Sequence, residues 1–233
     1  MVVFGSHVPV IAVDGPSGSG KGTVCRSLAE RLGWHLLDSG ALYRVVAIAG
    51  AARGIGAGDE AAHAGIAAGL DVRFEIDPDG GERVMLEGRD VTRELRAETT
   101  GNMASRVAAM PAVRAALLDR QRAFARAPGL VADGRDMGTV VFPAAGLKVF
   151  LTASADERAL RRYKQLKEKG LAANLAGLSQ EILERDQRDA GRSTAPLRPA
   201  GDAVIIDSTG VPADVVIERV LDLARARFPA IRG

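Results

Sequence analysis

Apolar residues along the chain gather into short runs that end in Gly, Asp or Ser, with amphipathic stretches between them. Runs at 8–13, 35–38, 130–133, 148–152 and 203–207 have the length and character of buried strands in an open parallel sheet. Residues 21–32 carry Val24, Leu28 and Leu32 at i, i+4 and i+8 on one helical face, with Gly33 as the stop. The stretch 154–170 opens on Ser154-Ala-Asp-Glu157, a capping-box spacing, and 213–228 closes the chain as an amphipathic helix. Strands alternating with helices predict a doubly wound α/β layer structure, a five-stranded parallel sheet flanked by helices.

One stretch breaks the alternation. Residues 71–76 and 83–87 alternate in polarity around Asp77-Pro-Asp-Gly-Gly81, which predicts an antiparallel hairpin. Helices at 95–109 and 112–127 follow, separated at Pro111. Residues of about 70–127 therefore read as an accessory subdomain inserted between the second and third core strands. No repeat, low-complexity tract or interdomain linker divides the rest, so 1–233 reads as one domain.

Composition narrows the class. Hydrophobic residues make 47% of the 233 and charged residues 26%, the balance of a globular protein. No apolar run approaches the ~18 residues that would cross a bilayer, and the N-terminus lacks the pattern of a secretion signal. The single cysteine, Cys25, cannot form an internal disulfide and fits a reducing compartment, so the expected location is cytoplasmic, with no membrane partner. A net charge of +2 argues against a nucleic-acid partner. Of the 31 cationic residues, 26 are arginines. A GC-rich genome explains that bias, and so do guanidiniums placed to meet phosphates, so position must decide. The absence of a coiled coil or an exposed apolar run points to a monomer.

The strongest motif is Gly15-Pro16-Ser17-Gly18-Ser19-Gly20-Lys21-Gly22-Thr23, which follows a predicted strand and opens a predicted helix. Glycines let successive N–H groups turn around a phosphate at the helix N-terminus, and Lys21 adds a point charge. The spacing predicts a nucleoside triphosphate-binding loop of the P-loop NTPase type. Gly22 stands where Ser or Thr usually follows the lysine, and Thr23 comes one residue later. A guanine-nucleotide switch would carry Asn-Lys-x-Asp, which this chain lacks. A small-molecule kinase with a separate acceptor site is the class that remains.

Three further motifs supply acceptor candidates. Leu37-Asp-Ser-Gly-Ala-Leu-Tyr-Arg44 and Ala132-Asp-Gly-Arg-Asp-Met-Gly-Thr139 follow strand ends, where ligands of open α/β sheets bind. In Glu184-Arg-Asp-Gln-Arg-Asp-Ala-Gly-Arg192, a predicted helix puts Arg185, Arg188, Asp189 and Arg192 on one face, either solvated or turned to an anion.

The segments GPSGSGKGT, LDSGALYR, ADGRDMGTVVFP and ERDQRDAGRSTAPL resemble the bacterial cytidylate kinase family, and the resemblance runs from about residue 8 to the C-terminal helix. It implies phosphoryl transfer from ATP to CMP and dCMP with Mg2+, and it identifies the insertion as a nucleotide monophosphate-binding subdomain. Carried over, it gives the acceptor phosphate to Arg44, Arg135 and Arg192 with Ser39 alongside. It gives cytosine to Ser105, Arg114 and Asp136, and the sugar to Arg185 and Asp189. A short mobile lid at about 158–170 would bring Arg158, Arg161 and Arg162 to the triphosphate, these three also fitting a solvated helix face. On this reading Lys21, Arg135, Arg158, Arg162 and Arg192 serve catalysis. Asp136 accepting from the cytosine amino group while Arg114 donates to the ring acceptors would reject uracil, whose pattern is reversed.

The chemistry fits what is missing. A phosphate acceptor has a second pKa near ~6 and is already an anion at neutral pH, so no base is required. The three histidines, His7, His35 and His63, stand outside every motif. For magnesium, Thr23 and Asp133 are the candidates, with Asp14 either a further ligand or a turn-making residue, while Cys25 reads as a small buried apolar residue. Other acceptors (UMP, AMP, shikimate) and a slow nucleotide-binding switch are the alternatives.

Overall fold

The computed structural model describes residues 8–76, 82–168, 170 and 172–229. The hairpin loop expected at 77–81 lies outside the described residues, as does His7. In chain order the first elements are β1 (Val10–Asp14), α1 (Lys21–Leu32), β2 (His35–Asp38), α2 (Ser39–Ala52) and α3 (Glu60–Ala68). Next come β3 (Val72–Ile76), β4 (Glu82–Leu86), β5 (Arg89–Asp90), α4 (Thr92–Leu95), α5 (Glu98–Val107) and α6 (Pro111–Arg122). The chain continues through β6 (Leu130–Gly134), a single π-helical turn at Met137–Val141, and β7 (Leu147–Thr152). It ends with α7 (Ala155–Glu168), α8 (Leu175–Ala190), β8 (Val204–Asp207) and α9 (Ala213–Arg227).

Two compact units result. The first comprises Met1–Asp38 and Gln121–Gly233. Among its described residues, five parallel strands run in the order β2-β6-β1-β7-β8, as the alternation predicts. β1 is central and buried throughout, because both its neighbours and the covering helices exclude water. Val24, Cys25 and Leu28 of α1 and Val216, Val220 and Leu221 of α9 pack with Ile11, Val13, Val149 and Leu151. Each such fully buried aliphatic side chain contributes about 1.5–3 kcal/mol. The core therefore pins the start of α1 to the carboxyl end of β1. No helix among the described residues is long and apolar enough to cross a membrane.

The second unit is Ser39–Arg120. Its first element is α2, whose residues Val45 to Gly50 are all buried. An element apolar on nearly every side has no helical period to reveal it. Gly50 permits its contact with α3, since a Cβ there would lie 2.6 Å from His63 Nε2. β3, β4 and β5 form an antiparallel sheet, with Phe74 opposite Val84 in the expected hairpin. The two-residue β5 is too short to show alternation and escaped prediction. The helix expected over 95–109 is broken into α4 and α5, because Arg44 takes the Leu95 carbonyl (2.8 Å) and Thr100 Oγ1 the Glu94 carbonyl (2.7 Å). The next helix ends at Arg122 rather than at 127.

Candidate active site

The phosphate loop leaves β1 at Gly15, where φ is +146° and a Cβ would lie 2.0 Å from the Leu151 carbonyl oxygen, so glycine is required. It enters α1 at Gly20, also at positive φ, which offers no side-chain cap, and the first turn holds no acidic residue. The helix N-terminus thus keeps its donors and its positive end for an anion.

Three of the loop's carbonyls are engaged by side chains. Lys21 Nζ donates to Pro16 O at 2.8 Å. Arg158 Nη1 donates to Ser17 O at 3.1 Å and Arg161 Nη1 to Ser19 O at 3.4 Å. The Ser208 hydroxyl lies 3.1 Å from Ser19 O and 3.0 Å from Thr152 O, donating to one of them, and it accepts from Arg161 at 3.2 Å. In a trans peptide the C=O and the following N–H point in opposite directions. Tying down the carbonyls of Ser17 and Ser19 therefore turns the amides of Gly18 and Gly20 away from Arg158, Arg161 and Ser208. Arg158 is itself held by two contacts to Asp186 of α8 (3.0 Å for the longer) and a bond to Ala153 O at 3.0 Å. Ser208 and Asp186 had no motif to mark them, although Ser208 follows the carboxyl end of a core strand, the position where ligands gather.

Lys21 is buried among charged groups. Burial, reinforced by the Arg135 guanidinium, pushes the Lys21 ammonium down to about 7 despite Asp133. Burial likewise pushes the Asp133 carboxyl up to about 6, against the pull of Lys21. A phosphate held in the loop would add to the counter-charge that Asp133 gives Lys21. Cys25, buried one turn further along α1, has its thiol pushed well above the usual range by burial, as expected of an inert packing residue.

The expected acceptor residues divide between the two units. In the first, Asp189 of α8 is 1% exposed and its two oxygens accept from Arg135 Nε (3.2 Å) and from Arg192. Burial raises the Asp189 carboxyl, but Arg135, Arg192 and Arg185 outweigh it and hold it below the usual range. Asp189 therefore orients two guanidiniums as a fixed anion. α8 stops at Ala190, so Arg192 does not continue the helical face with Arg185 and Arg188, and it reaches Asp189 from beyond the helix end. Asp136 is buried and precedes the π-helical turn. Arg162 donates to Gln165 at 3.4 Å.

In the second unit Ser39 is the buried first residue of α2, and Arg44 follows on the same helix. Ser105 is buried on α5. Arg114 is buried on α6, donates to Ala108 O at 3.1 Å and stacks 5.6 Å from the Tyr43 ring centroid.

For a divalent cation the fit is partial. Both oxygens of Asp14 accept backbone amides, those of Met137 and Gly138, at 2.8 Å. Thr23 is exposed on the first turn of α1, and the Asp133 carboxylate faces Gly22, where a Cβ would lie 3.6 Å from its Oδ2. Among the described residues no cluster of three or more His, Cys, Asp or Glu can hold a metal ion. Oxygen ligands from one or two side chains, completed by phosphate and water, suit magnesium.

A phosphate cradle at the sheet's carboxyl edge, with guanidiniums oriented beside its lysine, defines a P-loop kinase. Comparison with known proteins narrows that class. The cytidylate kinase family model matches residues 11–226. A cytidylate kinase of Aeromonas hydrophila is 58% identical over 220 residues, covering 94% of this chain and 95% of its own. One from Saccharophagus degradans is 60% identical over 219 residues, covering 94% and 97%. The chain belongs to the cytidylate kinase family.

Proposed function

We propose that this chain transfers the γ-phosphoryl group of ATP to CMP and dCMP, a step of pyrimidine nucleotide metabolism. An oxygen of the acceptor phosphate attacks the γ-phosphorus in line, the bond to the bridging β–γ oxygen breaks, and ADP and CDP or dCDP leave. The observation that carries this reading is the Arg135–Asp189–Arg192 cluster, in which one buried carboxylate orients two guanidiniums. A guanidinium pair with fixed direction suits a dianionic acceptor and needs no base beside it. The histidines agree, since His35 bonds to Ala127 O and His63 to Asp59 O, away from the acceptor motifs.

In this reading residues 15–23 hold the triphosphate and Lys21 meets the transferring group. Arg158 acts through the loop it braces, and Arg162 adds charge toward the triphosphate. Arg135, Arg192 and Arg44 with Ser39 receive the acceptor phosphate, Ser105, Arg114 and Asp136 read cytosine, and Arg185 and Asp189 meet the sugar. Thr23 and Asp133 would hold Mg2+, which when bound neutralises charge on the phosphate oxygens. The chain acts as a cytoplasmic monomer of one domain, with an insertion at about 70–127 for the monophosphate and a short lid at about 158–170.

The test is product stoichiometry. Incubated with ATP, Mg2+ and CMP, the chain should yield ADP and CDP one to one, and almost no ADP when CMP is omitted. ADP release independent of CMP would make it a slow nucleotide hydrolase instead.

A further inference from the structure

The carboxylate of Asp14 performs a task outside the phosphate loop. Asp14 ends β1 one residue before Gly15 and is 4% exposed. Its Oδ1 accepts from the Met137 amide and its Oδ2 from the Gly138 amide, both at 2.8 Å. These are the first amides of the π-helical turn. The turn's own bonds run later, from Val140 N to Asp136 O (2.9 Å) and from Phe142 N to Met137 O (2.7 Å). Asp14 therefore caps from another strand a turn that does not cap itself. Arg135 and Asp136, expected to meet the acceptor phosphate and base, immediately precede the two amides it holds.

We propose that Asp14 is a positioning residue for the acceptor: by gripping the backbone at 137–138 it fixes the direction of Arg135 and Asp136 relative to the phosphate loop that begins beside it. The proposal rests on the reading of those two residues as acceptor-binding. Two bonds from one rigid carboxylate fix orientation as well as distance, which a single bond does not. Ionising so buried a carboxylate is costly, and its carboxyl is pushed up to about 6 by burial, against the two amides. A Cβ at Gly138 would press on the Lys148 stem at 3.1 Å and touch Asp14 Oδ2 at 3.4 Å.

Asp14→Asn keeps the shape but offers one acceptor oxygen, leaving an NH2 facing an N–H. Steady-state kinetics with CMP and ATP varied in turn should show the KM for CMP rising about tenfold, with the KM for ATP within about twofold. The preference for CMP over UMP should fall as well. Gly138→Ala disturbs the same contact from the other side and should move the same parameters less; it carries the test if Asp14→Asn does not fold. Equal changes in the two KM values, or a lower melting temperature with unchanged KM values, would make Asp14 a fold-maintaining residue and overturn the proposal. A wild-type chain inactive toward CMP would remove the underlying reading instead.

Discussion

The phosphate loop draws on nine consecutive residues, 15–23, whereas the acceptor candidates come from α2, α5, α6, α8 and the segment after β6. On the proposed reading the two regions would hold their ligands by different means. In the loop the donors are backbone amides, and Lys21, Arg158, Arg161 and Ser208 direct them indirectly by engaging the opposite carbonyls. Among the acceptor candidates of either unit the donors would be guanidiniums, and these are directed by what accepts from them. Asp189 orients Arg135 and Arg192, Leu95 O orients Arg44, and Ala108 O orients Arg114. Backbone donors must be braced from outside, while charged side chains need a counter-ion or a carbonyl to hold one direction.

That contrast can be broken at either end, and the largest effect should come from the donor side. Lys21→Ala removes the charge proposed to meet the transferring phosphoryl group. Turnover should fall at least about 100-fold, or ~2.7 kcal/mol, while the dissociation constant for CMP stays within about twofold. Near wild-type turnover in this variant would end the phosphate-loop reading.

The acceptor side should break differently. Asp189→Asn keeps the volume but removes the anion between two guanidiniums, which weakens bonds worth about 1.5–3 kcal/mol each. The KM for CMP should rise about tenfold or more, with the KM for ATP nearly unchanged. An unchanged KM for CMP would detach the cluster from the acceptor.

The smallest effect sharpens the donor side. Burial lowers Lys21 to about 7 in the ligand-free chain, so above that pH the free lysine is increasingly neutral. Bound phosphate favours the ammonium, so binding takes up a proton and ATP affinity should fall as pH rises from 7 to 9, by no more than tenfold per pH unit. Binding calorimetry at pH 8 in two buffers of different ionisation enthalpy should register that uptake, and proton release would contradict it.

Legibility in the sequence follows the same division. The loop and the five core strands could be read because both are local: a spacing of glycines, and short apolar runs ending at turns. Ser208 and Asp186, which brace the loop, lie far from it in sequence and carry no spacing signal of their own. Arg192 was grouped with Arg185 on a helical period, but the helix ends before it, and only the fold brings it to Asp189. α2 carries no such signal, because burial on nearly all sides erases periodicity. Asp14 looked like a turn residue or a magnesium ligand. Its two amide partners, 123 and 124 residues away, show what the carboxylate holds.

The central claim is that the acceptor is a cytidine monophosphate chosen against other phosphates and alcohols. A single competition reaction tests it, with the wild-type chain, limiting ATP and equal concentrations of CMP, UMP, AMP, GMP and shikimate, and with products resolved by ion-exchange chromatography. The account predicts CDP as the dominant product, in step with ADP. Another diphosphate or shikimate phosphate in excess of CDP would contradict it.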